Sequence, residues 1–341
     1  MAEAGTSGSK IEPIKFKEDK PGTGASFMTL ASAAAMQSHA SPLLSEQIKI
    51  CSAEEVALWD IPFRILIWGA ANSGKTHFAL TFPEPICIID TEGRYPLIIK
   101  KFRVCKDCGN DWVSSDMSPK SLKPVGILEC PSCGSKNVRL KDVRGIRCKS
   151  GSQVQKATDM FLKILDEHHK TTGEIGTIVV DNASKIWDWN QSEYSIKKYG
   201  SEPSDTHLDP MGDYKFINPQ HNELFRDKIL GSIHNVVMIA TMKAQYSKDD
   251  RYKIIGSGAE GQKHNPFAVD WTITNAEGEV VGQDGQVVGN GIYTSHIQKN
   301  SLISGKIPPQ QSLDYKKLVK IRQSLMVICG VVEDKDDKVK T

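Results

Sequence analysis

The sequence predicts an α/β protein built on a mostly parallel sheet, with a small cysteine-bearing module inserted into it. Three observations lead to this prediction. Short apolar runs of strand length alternate with segments whose apolar residues recur at helical spacing. Several of those runs hold three to five consecutive apolar residues without alternation, which is typical of strands buried on both faces of a parallel sheet. Between the second and third runs lies a basic segment that carries two pairs of cysteines.

Length and composition set wide bounds. The 341 residues allow one large domain with an insertion, or two domains. Hydrophobic residues make up 39% and charged residues 25%, which is ordinary for a globular protein. The formal net charge of +2 neither indicates a nucleic-acid protein nor excludes local basic patches. Neither a run of about 18 apolar residues nor a secretory signal is found, so we expect a protein of the reducing cytoplasm with no membrane partner.

The elements follow from the local patterns in chain order. The expected strands are 64–68, 86–90, 177–181 and 235–241, with two shorter runs at 270–275 and 292–298. Three helices are expected between these strands. The first begins at His77, the second covers 153–169, and the third runs from about 219 to 233. The middle helix is indicated by Val154, Ala157, Phe161 and Leu165, which share one helical face.

Composition along the chain predicts four regions. Residues 1–50 are rich in Ala, Gly, Ser and Lys, and we expect a disordered leader there. The α/β core is expected at 58–99 and 150–310, interrupted by an insertion at 100–149. Residues 311–341 are expected to form a C-terminal helix and a charged tail.

A phosphate-binding loop stands between the first strand and the first helix. The segment from Gly69 to Thr76 matches G-x-x-x-x-G-K-[ST], in which the glycines let the backbone fold around a phosphate. Lys75 is expected to reach the β and γ oxygens and Thr76 to ligate Mg²⁺, while the helix N-terminus favours the anion. The residues expected to hold the nucleotide are Gly69, Ala70, Ala71, Asn72, Ser73, Gly74, Lys75, Thr76 and His77. Such a motif also arises by chance in glycine-rich loops, but its place between a strand and a helix favours the functional interpretation.

Acidic residues end the next two long strands. Asp181 follows an apolar run and suits the acidic residue that holds Mg²⁺ through water, although it could instead cap the following helix. Residue 182 is Asn, where AAA+ ATPases usually carry Glu. Glu92, in the segment Asp90-Thr91-Glu92-Gly93, could orient or deprotonate the attacking water, or be an ordinary loop carboxylate.

These short motifs resemble the RecA/RadA-like ATPases, whose catalytic glutamate follows the same strand in an Asp-x-Glu context. The chain is similar in particular to the phage-type RecA-like ATPases of the Sak family, which carry a D-T-E-G segment. The resemblance covers roughly residues 60–100 and 175–300. It implies a RecA-like core in which Lys75 binds phosphate and Thr76 binds the metal. It also implies that Glu92 is the catalytic base and that Asp181 has the Walker B role of holding Mg²⁺ through water.

The same resemblance extends to the strand that ends at Thr241. In this class that strand carries a polar residue that senses the γ-phosphate, and Thr241 is the candidate here. The Asn-Gln pair of RecA is absent, so an ordinary threonine at a strand end is the alternative interpretation.

The insertion contains the pattern C-x₂-C…C-x₂-C. Cys105, Cys108, Cys130 and Cys133 can each contribute one thiolate to a tetrahedral site, which suits a structural Zn²⁺. The pattern resembles a zinc ribbon; disulfides or an iron–sulfur cluster are the alternatives. Residues 100–149 also hold twelve Lys/Arg against five Asp/Glu, a net charge of +7. That charge could contact nucleic acid or simply solvate a small module.

A glycine-rich stretch after the fourth strand interleaves aromatic and basic residues, a composition that can stack bases and neutralise phosphates. The nucleic-acid candidates there are Lys248, Arg251, Tyr252, Lys253 and Lys263.

The sequence as a whole therefore leads us to expect an ATPase, with ATP, Mg²⁺ and Zn²⁺ as cofactors, that acts on single-stranded DNA in recombination, repair or replication. The resemblance implies a homo-oligomeric ring or filament, other recombination or replication proteins as partners, and, for a phage or mobile element, the host-cell cytoplasm. Two other functions stay open: a nucleotide-dependent switch whose zinc module docks a protein, and a small-molecule kinase. No base-reading motif of the N-K-x-D type is present, but GTP is not excluded as the substrate.

Overall fold

The computed structural model describes residues 61–113, 129–204, 208–209, 212–247, 252–281, 287–300 and 307–328. The expected leader at 1–50 and the expected charged tail after residue 328 lie outside these ranges. No helix within them is both long and apolar enough to cross a membrane.

The elements of the described residues are numbered in chain order. The strands are β1 Arg64–Gly69, β2 Ile86–Asp90, β3 Phe102–Cys105, β4 Asp111–Val113, β5 Val138–Leu140, β6 Val143–Arg147, β7 Thr177–Asp181, β8 Asn235–Tyr246, β9 Ile254–Ala259, β10 Trp271–Val281, β11 Val287–Lys299 and β12 Gln310–Gln311. The helices are α1 Lys75–Ala79, α2 Tyr95–Ile99, α3 Gly151–Thr172, α4 Ala183–Tyr199, α5 Tyr214–Asn222, α6 Asn265–Ala268 and α7 Tyr315–Ile328. A π-helical turn, Glu223–Ile229, continues α5.

Nine of these strands form one large mixed sheet, in which β9 pairs with β8 and the others follow the order β12-β11-β10-β1-β8-β7-β2-β6. The six strands from β10 to β6 in that order run parallel to one another, while β11, β12 and β9 add antiparallel pairs. The prediction of an α/β fold with a mostly parallel sheet is therefore confirmed.

Helices cover both faces of this sheet because consecutive inner residues of its central strands are apolar. In β1, Leu66 and Trp68 join the core beneath α3, α4 and the π-helical turn. The alternate residues Ile65 and Ile67 join the core beneath α1 and α7. Each such strand therefore fills two cores, which explains why the sequence shows continuous apolar runs instead of alternation.

The cysteine-bearing insertion differs from its expected bounds. Strands β3, β4 and β5 form a separate three-stranded sheet, but Val143–Arg147 pairs in parallel with β2 at the edge of the large sheet. The expected insertion at 100–149 therefore includes a strand of the core. Two further differences concern local structure: β8 continues to Tyr246 instead of ending at Thr241, and it pairs with β9 in the glycine-rich stretch, where no strand was expected.

Candidate functional site

The phosphate loop joins β1 to α1, and its shape requires glycine at both ends. At Gly69 (φ 155°) a Cβ atom would lie 2.1 Å from the carbonyl oxygen of Asn275. At Gly74 (φ 76°) it would lie 2.5 Å from the ring of Tyr293. A side chain at either position would collide with β10 or β11, so the motif glycines are fixed by tertiary contacts as well as by backbone conformation.

The side chain of Lys75 folds back onto its own loop. Its Nζ atom donates hydrogen bonds to the carbonyl oxygens of Gly69 at 3.0 Å and Ala70 at 2.6 Å. Burial lowers the pKa of Lys75, and the nearby carboxylates of Asp181 and Glu92 oppose that shift. A cation held by carbonyl oxygens at the mouth of the loop can exchange them for phosphate oxygens, which bind an ammonium group more strongly.

Two candidate magnesium ligands are already in contact. Thr76 Oγ1 donates a hydrogen bond to Asp181 Oδ2 over 2.8 Å, although the residues are 105 positions apart. Burial raises the pKa of Asp181 to about 6; the hydrogen bond from Thr76 opposes the shift, and Glu92 and Asp90 add to it. A hydroxyl and a carboxylate side by side are the hard oxygen ligands that Mg²⁺ takes, so these residues fit the metal.

Glu92 is held beside them by its own strand end. Asp90 Oδ1 accepts hydrogen bonds from the backbone N–H groups of Glu92 at 2.9 Å and Gly93 at 2.7 Å. The Glu92 carboxylate accepts a hydrogen bond from Asn182 Nδ2 at 3.3 Å and pairs with Arg94 at 3.4 Å. Sequence reasoning did not assign Asp90, Asn182 or Arg94 to the site; the position of Asp90 two residues before Glu92 is the signal that could have found it.

The carboxyl ends of the parallel strands bring these groups to one edge of the sheet. Gly69 on β1 lies opposite Thr241 on β8, while Asp181 on β7 lies opposite Asp90 on β2. On β8, which runs between β1 and β7, Thr241 lies two residues beyond Ile239, the residue opposite Asp181. Thr241 Oγ1 donates a hydrogen bond to Glu260 Oε2 at 2.5 Å. The hydroxyl therefore has a protein acceptor as well as a place in the cavity.

A cavity of about 780 Å³ contains this constellation. Its walls include the loop from Gly69 to His77, together with Glu92, Asp181 and Thr241. The predicted catalytic and nucleotide-binding residues thus face one space, of a size that accommodates a small-molecule ligand.

The four paired cysteines also converge. Their sulfur atoms all lie within 4.8 Å of one another, with Cys105–Cys133 at 3.6 Å and Cys108–Cys130 at 3.5 Å. Sulfurs bound at about 2.3 Å around one tetrahedral zinc ion stand about 3.8 Å apart, so the arrangement fits that metal. Disulfide bonds are about 2.05 Å long, and these cysteines form none.

A glycine with positive φ closes each of the two cysteine turns. Gly109 (φ 70°) and Gly134 (φ 72°) follow the second cysteine of each pair, and their N–H groups donate to the carbonyl oxygens of Cys105 and Cys130. Each turn thereby directs two sulfurs toward the same point. The chemistry of the donors is that of a closed structural site.

Only some of the candidate nucleic-acid-binding residues belong to the part of the chain that the structure describes. Lys248 and Arg251 lie outside that part. Tyr252 is 94% exposed, and Lys253 and Lys263 are also exposed. Tyr252 and Lys253 precede β9, so they stand at the tip of an antiparallel hairpin formed with β8.

Comparisons of the sequence with protein-family models and with curated proteins give no match. Among solved structures, the chain is similar to a crystal structure of the RadB recombinase, with 11% sequence identity and a TM-score of 0.38. The similarity covers 74% of this chain and 87% of that chain. Similarity at this level does not identify a family, and the functional proposal below rests on the site.

Proposed function

We propose that the chain is an ATPase with a RecA-like core that acts on single-stranded DNA in recombination, repair or replication. The observation that carries the proposal is the cluster of Lys75, Thr76, Asp181 and Glu92 around one cavity. Lys75 and the loop amides would hold the phosphates. Thr76 and Asp181 would hold Mg²⁺, which would supply positive charge to the phosphates.

The chain's own residues account for the remaining chemistry. Among Asp90, Glu92 and Asp181, Glu92 remains for the role of base: Asp90 is 2% exposed, Asp181 is bonded to Thr76 and assigned to the metal, and Glu92 lines the cavity. Glu92 would accept a proton from the attacking water, with Asn182 and Arg94 fixing its orientation. Thr241, which lines the same cavity and lies opposite Gly69, would sense the γ-phosphate through a hydrogen bond from its hydroxyl group.

The hairpin of β8 and β9 supports the nucleic-acid part of the proposal. Its root is joined to the site, because Glu260 binds Thr241 through both a backbone and a side-chain hydrogen bond. Its tip exposes Tyr252 and Lys253, which offer an aromatic face and a cation to a nucleotide strand. The state of the phosphate site can therefore be transmitted along β8 to the surface that would hold DNA.

We extend the proposal to what the resemblance implies. The core would be formed by 58–99, by β6 and by 150–310 around the zinc module, and the protein would assemble into a ring or filament with recombination or replication partners. For a phage or mobile element the place of action would be the host-cell cytoplasm.

ATP hydrolysis measured with and without single-stranded DNA tests the proposal. We expect hydrolysis by the wild type, stimulation by DNA, and loss of nucleotide binding or turnover in Lys75→Ala. The Tyr252→Ala/Lys253→Ala variant should bind DNA more weakly and keep its basal hydrolysis. The matched control is Lys215→Ala/Phe216→Ala, an exposed lysine–aromatic pair on α5.

The outcomes separate the two parts of the proposal. If DNA neither binds nor changes the rate, the role on DNA is wrong while hydrolysis stands. If Lys75→Ala hydrolyses ATP as the wild type does, the phosphate loop is not the catalytic site. A hairpin variant and a control that lose DNA binding equally would remove the hairpin from the interface.

A further inference from the structure

A second cavity adjoins the phosphate loop, and neither Glu92 nor Asp181 lines it. It has a volume of about 690 Å³ and is enclosed by α1, by strands β3 and β4 of the cysteine module, by β11, and by residues 312–316. Gly74, His77, Lys101 and Tyr293 line both this cavity and the one described above. The two spaces therefore meet at the last glycine of the phosphate loop.

The walls of this second cavity combine flat aromatic surfaces with polar groups. Trp112 and Tyr293 are among its aromatic residues, together with Phe78 and Phe102, and Ser295 and Asp111 are among its polar residues. The Tyr293 ring packs directly on Gly74, at the junction of the two spaces. Aromatic faces stack on planar rings and hydroxyl groups bond polar ones, so this lining suits a nucleoside better than an inorganic anion.

The direction of a bound triphosphate follows from the positions of the charged groups. Thr76, Asp181 and Glu92 belong to the first cavity and mark the end at which the γ-phosphate would react. The α-phosphate end must then leave the loop on its other side, over Gly74 and His77. That exit opens into the second cavity, where Lys101 adds a cation at the boundary.

We propose that the second cavity receives the nucleoside of the triphosphate and that Trp112 of the four-cysteine module forms the wall against which the base stacks. This inference rests on the proposed nucleotide-binding function. It gives the module a role in binding substrate, beyond stabilising its own fold, and makes affinity for the nucleotide depend on the metal.

The module is fixed in position by contacts of the strand that carries Trp112. This strand pairs with β3, with Trp112 opposite Arg103 and Asp111 opposite Val104, one residue before Cys105. In addition, Asp111 binds Lys141 Nζ at 3.0 Å and Lys316 Nζ at 2.6 Å, which ties β4 to the residue that follows β5 and to α7 of the core. The cysteine turns thus hold β3 and β4 while the ion pairs set their distance from the nucleotide site.

Isothermal titration calorimetry on the full-length, zinc-loaded protein tests this role. The ligands are ADP, a non-hydrolysable ATP analogue, and inorganic tripolyphosphate, which has the phosphates but no nucleoside. Trp112→Ala should weaken binding of both nucleotides roughly 5-fold to 100-fold, the cost of losing one base–aromatic stack, and leave tripolyphosphate unchanged. The matched control is Leu140→Ala, an exposed residue of the same three-stranded sheet that does not line the cavity.

A second arm removes the metal. Protein treated with a chelator should lose affinity for the nucleotides by a similar factor and retain its affinity for tripolyphosphate. Nucleotide binding by Trp112→Ala or by the metal-free protein at the wild-type level would overturn the inference. So would an equal loss for tripolyphosphate, because the effect would then act on the phosphate loop. Failure of the wild type to bind either nucleotides or tripolyphosphate would instead refute the proposed function itself.

Discussion

His221 gives the protein a pH-dependent stability whose size can be worked out from its surroundings. The side chain is fully buried and stacks on Phe225 at 4.4 Å between ring centroids. Its Nδ1 accepts a hydrogen bond from Asn190 Nδ2 at 3.0 Å, and its Nε2 donates to Asn265 Oδ1 at 3.3 Å. Both ring nitrogens are therefore satisfied by the neutral imidazole, and a second proton would face the amide donor of Asn190.

Burial lowers the pKa of His221 to about 4, and the hydrogen bond to Asn265 opposes that shift. An unfolded histidine has a pKa of about 6.5, so below that pH the unfolded chain takes up a proton that the folded protein refuses. The contribution of His221 to stability is complete above about pH 6.5 and falls as the pH is lowered toward 4. Proton linkage therefore lowers the free energy of unfolding by about 2 kcal/mol between pH 7.5 and pH 5. The decrease reaches about 3 kcal/mol once the pH is below both pKa values.

Urea unfolding at pH 7.5 and pH 5 measures this loss. Other groups also titrate in this range, so the informative quantity is the difference in pH dependence between the wild type and His221→Gln, whose amide does not titrate. We expect the free energy of unfolding of the variant to fall about 2 kcal/mol less than that of the wild type over the same interval. His296→Gln, at an exposed position on β11, is the control and should keep the wild-type dependence. Equal pH dependence in the wild type and His221→Gln would refute the reasoning.

Three further predictions concern the candidate sites. Glu92→Gln should still bind ATP while turnover falls by a factor of about 10² to 10⁴, since the amide cannot accept the proton; normal turnover would remove Glu92 from catalysis. Asp90→Ala should lower kcat about 10-fold to 100-fold by releasing the backbone of Glu92, whereas Asp90→Asn keeps the Oδ1 acceptor and should restore the rate. Equal rates in the two Asp90 variants would contradict that positioning role. Metal analysis of freshly purified protein should find about one zinc per chain and lose it in Cys108→Ser, and iron in its place would favour the alternative cofactor.

The central strands could be predicted from the sequence because their patterns are strong and local. The expected bounds 86–90 and 177–181 coincide with β2 and β7. In each strand an apolar run is followed directly by an aspartate. The run indicates a buried strand, and the aspartate indicates where the strand ends. The phosphate loop is equally local, since its eight residues contain the glycines, lysine and threonine that define its shape.

The hairpin after Thr241 could not be predicted in the same way. Met242 to Tyr246 and the residues of β9 are largely exposed and contain glycines, which is the composition of a loop. Their pairing depends on β8 continuing past the core and on Gln245 lying against the glycines of the partner strand, where a Cβ at Gly258 would meet its amide at 2.5 Å. Such contacts between segments have no periodic signature.

The edge strand β6 shows a second limit. Val143 to Arg147 has two charged residues among five and follows a basic module, so composition assigned it to the insertion. It belongs to the core because its backbone pairs with β2, and because Gly145 leaves room for the ring of Tyr95, which donates a hydrogen bond to the Gly145 carbonyl. An edge strand has only one neighbour and partly exposed faces, and its sequence is correspondingly unconstrained.

The strand order joins the root of the hairpin to the phosphate site. Because β8 lies between β1 and β7, Thr241 lies opposite Gly69 of the phosphate loop, and Ile239, two residues earlier on the same strand, lies opposite Asp181. Ser184, at the start of α4, bonds both the Thr241 N–H and the Glu260 carbonyl, so the helix after Asp181 holds both strands of the hairpin root. A γ-phosphate that took the Thr241 hydroxyl from Glu260 would break one of the bonds joining that root. The exchange of this single hydrogen bond is thus a physical route by which nucleotide state could alter the surface proposed to hold DNA.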